Sequence, residues 1–221
     1  MTERARYFHP GWLLGLTFIL ASAVSFAGYK ARPWIIRPRE SYPASLSSEG
    51  ITIAVEPLFK DALAAQVFDK SNMVTRGIMP LAVVVFNDND FPIALNGTSI
   101  ELIQGEDHFH TLPVNEVVHR LFQKGGKGTW IPQPFPRITV DRGNQDALED
   151  FGRKFLNDKM VGAHDKGGGF LYLHIPEAAD MAGYLSKARL YIPKVYRQDT
   201  GAKMIFFEID LKPAIDAIPA K

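Results

Sequence analysis

The 221-residue chain contains no cysteine. That absence excludes disulfides, thiolate nucleophiles, cysteine-ligated zinc and a lipid-modified N-terminal cysteine together, although it leaves the compartment open. An excess of charge of either sign is also missing. Lys plus Arg is 25 against 24 for Asp plus Glu, so no global field draws the chain to nucleic acid or to an anionic surface. No G-x-S-x-G elbow, H-E-x-x-H helix or dinucleotide fingerprint occurs, and no repeat recurs at a solenoid period. What is present is ordinary for a globular protein: 46% hydrophobic and 22% charged residues, with 18 Gly and 15 Pro. One main domain with a sizeable core is the expectation at this length.

The compartment is addressed by the N-terminus. Arg4 and Arg6 precede an uncharged run from Trp12 to Tyr29, whose second half carries Ala21-Ser22-Ala23 and Ser25-Phe26-Ala27. A positive start, an apolar stretch and A-x-A-like sites are the elements of a secretory signal peptide. The same run is about long enough for an uncleaved spanning helix, with Trp12, Tyr29 and Trp34 placed as interfacial aromatics. Residues 1–29 therefore read as a signal peptide or a membrane anchor. The expected location is exported, periplasmic or extracellular, with residues 12–29 as a candidate anchor to the inner membrane. Lys30, Arg32, Arg37 and Arg39 pull the other way, because basic residues beyond an uncleaved helix favour a cytoplasmic body.

Residues 30–49 are rich in proline and serine without a sustained period and read as a linker or extended arm. Ile51–Val55 alternates as a first strand does. Pro57–Phe68 has near-helical apolar spacing, and Arg76-Gly77 interrupts the chain. Leu81–Phe86 is a continuous apolar, β-branched run, the pattern of a central strand covered on both faces.

The next stretch is NDNDFPIALNGTSIEL, residues 87–102. Asn96-Gly97 is the favoured dipeptide of a type I′ turn. A hairpin there sets Leu95 opposite Thr98, Ile93 opposite Ile100 and Phe91 opposite Leu102, all on one face. Asn87-Asp88-Asn89-Asp90 then becomes a polar corner between strands, where Asn and Asp side chains bond local backbone.

Val114, Val117, Val118, Leu121 and Phe122 form a helical stripe after Pro113 that stops at Gly125-Gly126. Leu148, Phe151 and Phe155 mark a second helix in QDALEDFGRKFLNDKM. Gly167–Gly169 hand over to a strand at FLYLHI, and ARLYIP and KMIFFEIDL are the last two strands, joined around Asp199-Thr200-Gly201.

The segment LAVVVFNDNDFPIALNGTSIEL resembles the start of the water-stress-and-hypersensitive-response domains of late-embryogenesis-abundant type. In these a β-branched strand runs into an Asn-rich corner, a Phe-Pro-Ile-like strand and a hairpin. The chain departs from that pattern at Asp88 and Asp90, where the family has prolines, and in its helices from Val114 and Gln145. The resemblance implies an immunoglobulin- or fibronectin-like β-sandwich with no catalytic residues to carry over. The chain also looks like exported bacterial domains that pair such a sandwich with a GFLY-type strand.

Four groups of residues are candidates for chemistry. Asp88 and Asp90 offer oxygen ligands for Ca²⁺, but an EF-hand needs more acids, a Gly and a distant Glu in register. GEDHFH, residues 105–110, with Glu116 is similar to the cupin metal motif. His108 and His110 share a strand face, with His119 as a third ligand, although the Gly105 and Glu116 spacings do not fit. Lys124–Gly128 and Lys166–Gly169 are glycine clusters that do not match a P-loop. Trp130 and Phe135 lie in an aromatic, proline-rich segment, which reads as a lid or as a partner or sugar surface.

The expectation is thus a mainly β, α+β fold. It is an immunoglobulin/fibronectin-like two-sheet sandwich over residues 50–212 with two or three short accessory helices, an N-terminal hydrophobic helix and a tail at 213–221. The expected function is a non-catalytic envelope binding or scaffold module without cofactor, whose partner is an envelope protein or glycan rather than nucleic acid. The alternatives are a metal-binding protein or metal-dependent envelope enzyme using His108 and His110, and a carbohydrate-binding domain using Trp130.

Overall fold

The computed structural model describes residues 28–122, 142–176 and 180–218. The elements run β1 (Ala44–Ser48), β2 (Ile51–Pro57), α1 (Asp61–Val67), β3 (Ile78–Asn87), β4 (Ile93–Leu95), β5 (Glu101–Gln104) and β6 (Asp107–His110). They continue with α2 (Val114–Phe122), α3 (Arg142–Lys154), β7 (Lys159–Val161), β8 (Asp165–His174), α4 (Met181–Leu185), β9 (Arg189–Ile192), β10 (Val195–Arg197), β11 (Phe207–Asp210) and α5 (Lys212–Asp216). All strand pairings are antiparallel and give three sheets, ordered β1-β2-β3-β8, β10-β4-β7 and β11-β9-β5-β6.

The fold is organised by β3. Its ten residues are all buried, as its unbroken apolar run requires. Met79, Leu81, Val83 and Val85 face one core, which they share with Ile93 and Leu95 of β4, Val161 of β7, Leu102 of β5, Leu190 of β9 and Ile209 of β11. The large sheet thus lies face to face with the two smaller ones, a sandwich-like arrangement built of three sheets rather than two. Ile78 and Ala82 point the opposite way, into a second core with Ala64 of α1, Val117 and Leu121 of α2, and Ala147 and Phe151 of α3. Val84 and Phe86 meet Tyr42 and Ala54 in a separate, smaller cluster. The helices are therefore a third layer that covers the far face of the sheet. That layer is rich in rings: Phe68 stacks on Phe151 at 4.7 Å and meets Phe170 edge-on at 5.2 Å, geometries that add to simple area burial.

Both edges of the large sheet are managed. β1 is short and, apart from Leu46, made of small residues, which makes a poor template for further pairing. β8 is covered by two passing segments, through bridges from Thr111 to Leu173 and from Phe155 to Phe170.

Several sequence expectations are corrected. The Asn96-Gly97 hairpin does not form: β4 pairs with β10 and β7, whereas β5 pairs with β6 and β9. Asn96 instead caps a short 3-10 turn, its Oδ1 accepting from the Thr98 N–H at 2.9 Å and from Oγ1 at 2.6 Å. Gly97 has no left-handed φ. It is needed because a Cβ there would stand 1.6 Å from the Leu156 carbonyl oxygen. The facing of the side chains holds, however, since Ile93, Leu95, Ile100 and Leu102 all enter the same core.

Residues 30–49, read as a linker, lie against the body and supply β1. The tail from residue 213 is also integral, as Ala214 and Ile215 of α5 are buried in the main core. Gly167–Gly169 sit inside β8 rather than ahead of it. A Cβ on Gly169 would come within 2.8 Å of Leu156 N and Lys154 O, so glycine lets the end of α3 cross close to the strand. The second helical stripe ends at Lys154, and Lys159–Val161 become β7. Finally, β10 intervenes before β11.

Candidate functional site

The histidine pair lies on β6. His108 and His110 project from one side of the strand toward Glu101 of β5, whose position is directly opposite His110. The carboxylate reaches both rings, with Oε2 at 2.8 Å from His108 Nδ1 and Oε1 at 4.0 Å from His110 Nδ1. Both histidines are more than half exposed. His119 lies on the exposed side of α2. Among the described residues no three His, Asp or Glu side chains are grouped so as to hold a metal ion. Trp130 and Phe135, the apolar run at 12–29 up to residue 27, and the glycine cluster at 124–128 lie outside the described residues. No described helix is long and apolar enough to cross a membrane.

The Asn-Asp stretch is a polar corner. Asn87, at the end of β3, is 1% exposed. Its Nδ2 donates to the carbonyls of Phe91 and Gly162, both at 2.8 Å, and its Oδ1 accepts from the Asn89 N–H at 3.2 Å and Nδ2 at 3.1 Å. Asp88 is ion-paired with Arg39 at 2.6 Å, which holds its carboxyl below the usual range, and Asp90 meets His164 at 2.7 Å. These carboxylates diverge to separate partners instead of converging on a central point.

A different cluster, not singled out from the sequence, sits between the N-terminal arm and α3. Asp150 and Lys154, one helical turn apart, are paired at 2.6 Å with side chains 4% and 8% exposed. Lys154 Nζ also donates to the Val67 carbonyl at 2.9 Å and lies 4.9 Å from the Phe68 ring centre. Tyr29 Oη donates to the same Asp150 oxygen, Oδ2, at 2.6 Å.

Removal from water disfavours the ammonium and pulls the Lys154 pKa down; the Asp150 contact opposes this, and Arg153 and Arg32 add to it. Burial first, then the bond to Asp150, pushes the Tyr29 hydroxyl well above its ordinary range. Tyr172, fully buried and donating to the Phe151 carbonyl at 2.8 Å, is raised by burial in the same way.

The arm that supplies Tyr29 is fastened along its length. The Lys30 N–H and the Arg32 guanidinium both bind Asp69, at 2.9 Å and 3.0 Å. Trp34 packs on Phe170 at 4.7 Å, and Arg37 pairs with Glu56 at 2.9 Å. Between the arm and α3 opens a cleft of about 440 Å³ lined by Ala31, Arg32, Pro33, Trp34, Asp150, Arg153, Lys154 and Gly168. The signal for the buried pair was present in the sequence. Ala147, Asp150, Phe151 and Lys154 occupy i, i+3, i+4 and i+7, which places an acid and a base on the apolar stripe.

No protein-family profile matches the chain, and no curated protein matches it. One solved structure, titled a "putative lipoprotein (ycdA)" of Bacillus subtilis, is similar over 77% of this chain at 13% identity with a TM-score of 0.37. The matched region spans 39% of that protein's chain.

Proposed function

We propose that the chain is a non-catalytic binding or scaffold module of the cell envelope, an immunoglobulin- or fibronectin-like sandwich elaborated by a helical layer. It is exported behind residues 1–29 or held by them at the membrane. The observation that supports this reading is where the interior polar groups are spent. Asn87 closes the β3–β4 corner, Asp150 and Lys154 fasten α3 to the arm and to the α1 end, and Thr52 shares a hydrogen bond with Ser47 at 2.7 Å. Each is satisfied by the protein's own groups, the arrangement of a scaffold that presents its outer surface.

The cysteine-free sequence gives a clean test. Phe206, 55% exposed, replaced by cysteine provides the single thiol for a membrane-impermeant maleimide applied to intact cells. Labelling before lysis supports export, and labelling only after the inner membrane is broken refutes it.

A second reading is a surface metal site using the His108/His110 pair, supported by the Glu101 carboxylate 2.8 Å from His108 Nδ1, although the three side chains are not grouped as ligands. It needs both rings to turn so that their nitrogens and the carboxylate meet one ion. Zn²⁺ titration of the wild type against His110→Ala tests it. Equal, negligible binding by both proteins removes it.

A further inference from the structure

The connection between β4 and β5 carries Asn96, the one asparagine of the chain that is followed by glycine. Such a pair is prone to lose ammonia, because glycine puts no side chain beside the peptide nitrogen that has to attack. The Gly97 nitrogen, its proton passed to water, bonds to Asn96 Cγ, and the side-chain nitrogen leaves as ammonia. Water then opens the five-membered imide. Cleavage of the new N–Cγ bond leaves aspartate. Cleavage of the original C–N bond leaves isoaspartate, whose main chain runs through Cβ and Cγ and is one carbon longer.

The fold opposes ring closure, although Asn96 itself is exposed. Closure needs a strongly negative ψ at Asn96, whereas the observed ψ of 109° turns the Gly97 nitrogen away from Cβ. Rotation would swing the Asn96 carbonyl off Ser99, whose Oγ donates to it at 2.9 Å and whose N–H donates at 3.3 Å. Thr98 holds the side chain through Oδ1, with its N–H at 2.9 Å and its Oγ1 at 2.6 Å. Gly97 is buried so tightly that a Cβ would stand 1.6 Å from the Leu156 carbonyl oxygen. On either side Leu95 and Ile100 are sunk in the core, and β4 and β5 belong to different sheets. The connection therefore cannot rotate without drawing one of its ends out of the interior.

We propose that Asn96 is a deamidation site gated by the fold: silent in the native chain, reactive when the β4–β5 connection opens, and barred from return once isoaspartate has formed. The gate follows from local opening, since the native rate is the open fraction multiplied by the rate of the free segment. The bar follows from Gly97, because an extra main-chain carbon just before it displaces a Cα that has no room to move. Aspartate differs. Its carboxylate can accept the same two Thr98 hydrogen bonds and is an equally good cap, so that product re-enters the fold. The modification records opening of this connection and not the age of the native protein.

The full chain in maltoside micelles tests both halves. It is incubated in mildly alkaline buffer, native or unfolded in guanidinium chloride, and the peptides containing Asn96 are followed by mass spectrometry. Deamidation at Asn96 should be at least about tenfold slower in the native chain, the factor that an opening about 1.4 kcal/mol uphill imposes. A smaller difference overturns the gate. The partly deamidated, unfolded sample is then refolded, and its protease-resistant fraction is read by electron-transfer fragmentation, which separates isoaspartate from aspartate. That fraction should retain asparagine and aspartate and be depleted of isoaspartate. Isoaspartate present in undiminished share, or aspartate excluded equally, overturns the bar. Neither result bears on export, so failure here leaves the maleimide outcome untouched.

Discussion

Replacing Asp150 by alanine should be among the most damaging single changes in the helical layer. The side chain is 4% exposed and accepts from both Lys154 Nζ and Tyr29 Oη. Its removal leaves the ammonium of Lys154, a side chain 8% exposed, with the Val67 carbonyl as its remaining partner among the described residues, and takes away the Tyr29 contact that closes the arm on α3. Breaking a buried ion pair from one side costs about 3–5 kcal/mol, chiefly because the surviving charge stays in a poor solvent. That is a large share of the roughly 5–15 kcal/mol by which domains are stable.

The pair itself is worth far less than this loss, because both charges were dehydrated to make it. The double replacement Asp150→Leu with Lys154→Met keeps apolar volume and removes both charges, and should lie within about 2 kcal/mol of the wild type. Urea unfolding followed by circular dichroism on the wild type, Asp150→Leu, Lys154→Met and the double variant, with Asp150→Ala alongside, measures the differences. An Asp150→Ala loss under about 1 kcal/mol, or a double variant as unstable as the sum of the singles, would refute the argument that desolvation of Lys154 dominates.

Gly97→Asn, harmless in a type I′ turn, should destabilise by about 3 kcal/mol or more, since any Cβ meets the Leu156 carbonyl oxygen; a midpoint shift in urea reads it. Asn87→Ala should cost about 2–3 kcal/mol by stranding the Phe91 and Gly162 carbonyls, measurable as a drop in Tm. Tyr172, raised by burial, contributes stability that is whole below the unfolded tyrosine pKa of about 10 and is lost above it, since only the unfolded chain then releases the proton. The native chain should lose about 1.4 kcal/mol per pH unit on this account above about pH 10. Tyr172→Phe should show a shallower alkaline slope in urea midpoints taken from pH 9 to 12.

The central strand was legible because its cause is local. An unbroken apolar run cannot sit at a surface, so β3 had to be covered twice, and it is, by the facing sheets and by the helices. The Asn-Asp corner was legible in part: Asn87 bonds the nearby Asn89 N–H and Phe91 carbonyl, whereas its Gly162 bond and the Asp88–Arg39 and Asp90–His164 pairs join distant segments. Partnership between strands was not local. The parity that placed Ile93, Leu95, Ile100 and Leu102 on one face is a property of the extended chain. Which strand lies beside β4 depends on β7 and β10, about 65 and 100 residues further on. Asn96-Gly97 fits a type I′ turn and a capped 3-10 turn equally well, and the approach of Leu156 selected the second.

The buried Asp150–Lys154 pair shows the same division. Residue spacing placed an acid and a base on the apolar stripe of α3. Only packing against the Val67 carbonyl, the Phe68 ring and Tyr29 decided whether those charges would reach around to water or be buried together. The sequence by itself determined which residues had to leave water and in what local shape, because hydrophobicity and backbone preference act over a few residues. The tertiary structure alone decided which distant groups meet, and so where the arm closes on α3 over a buried ion pair.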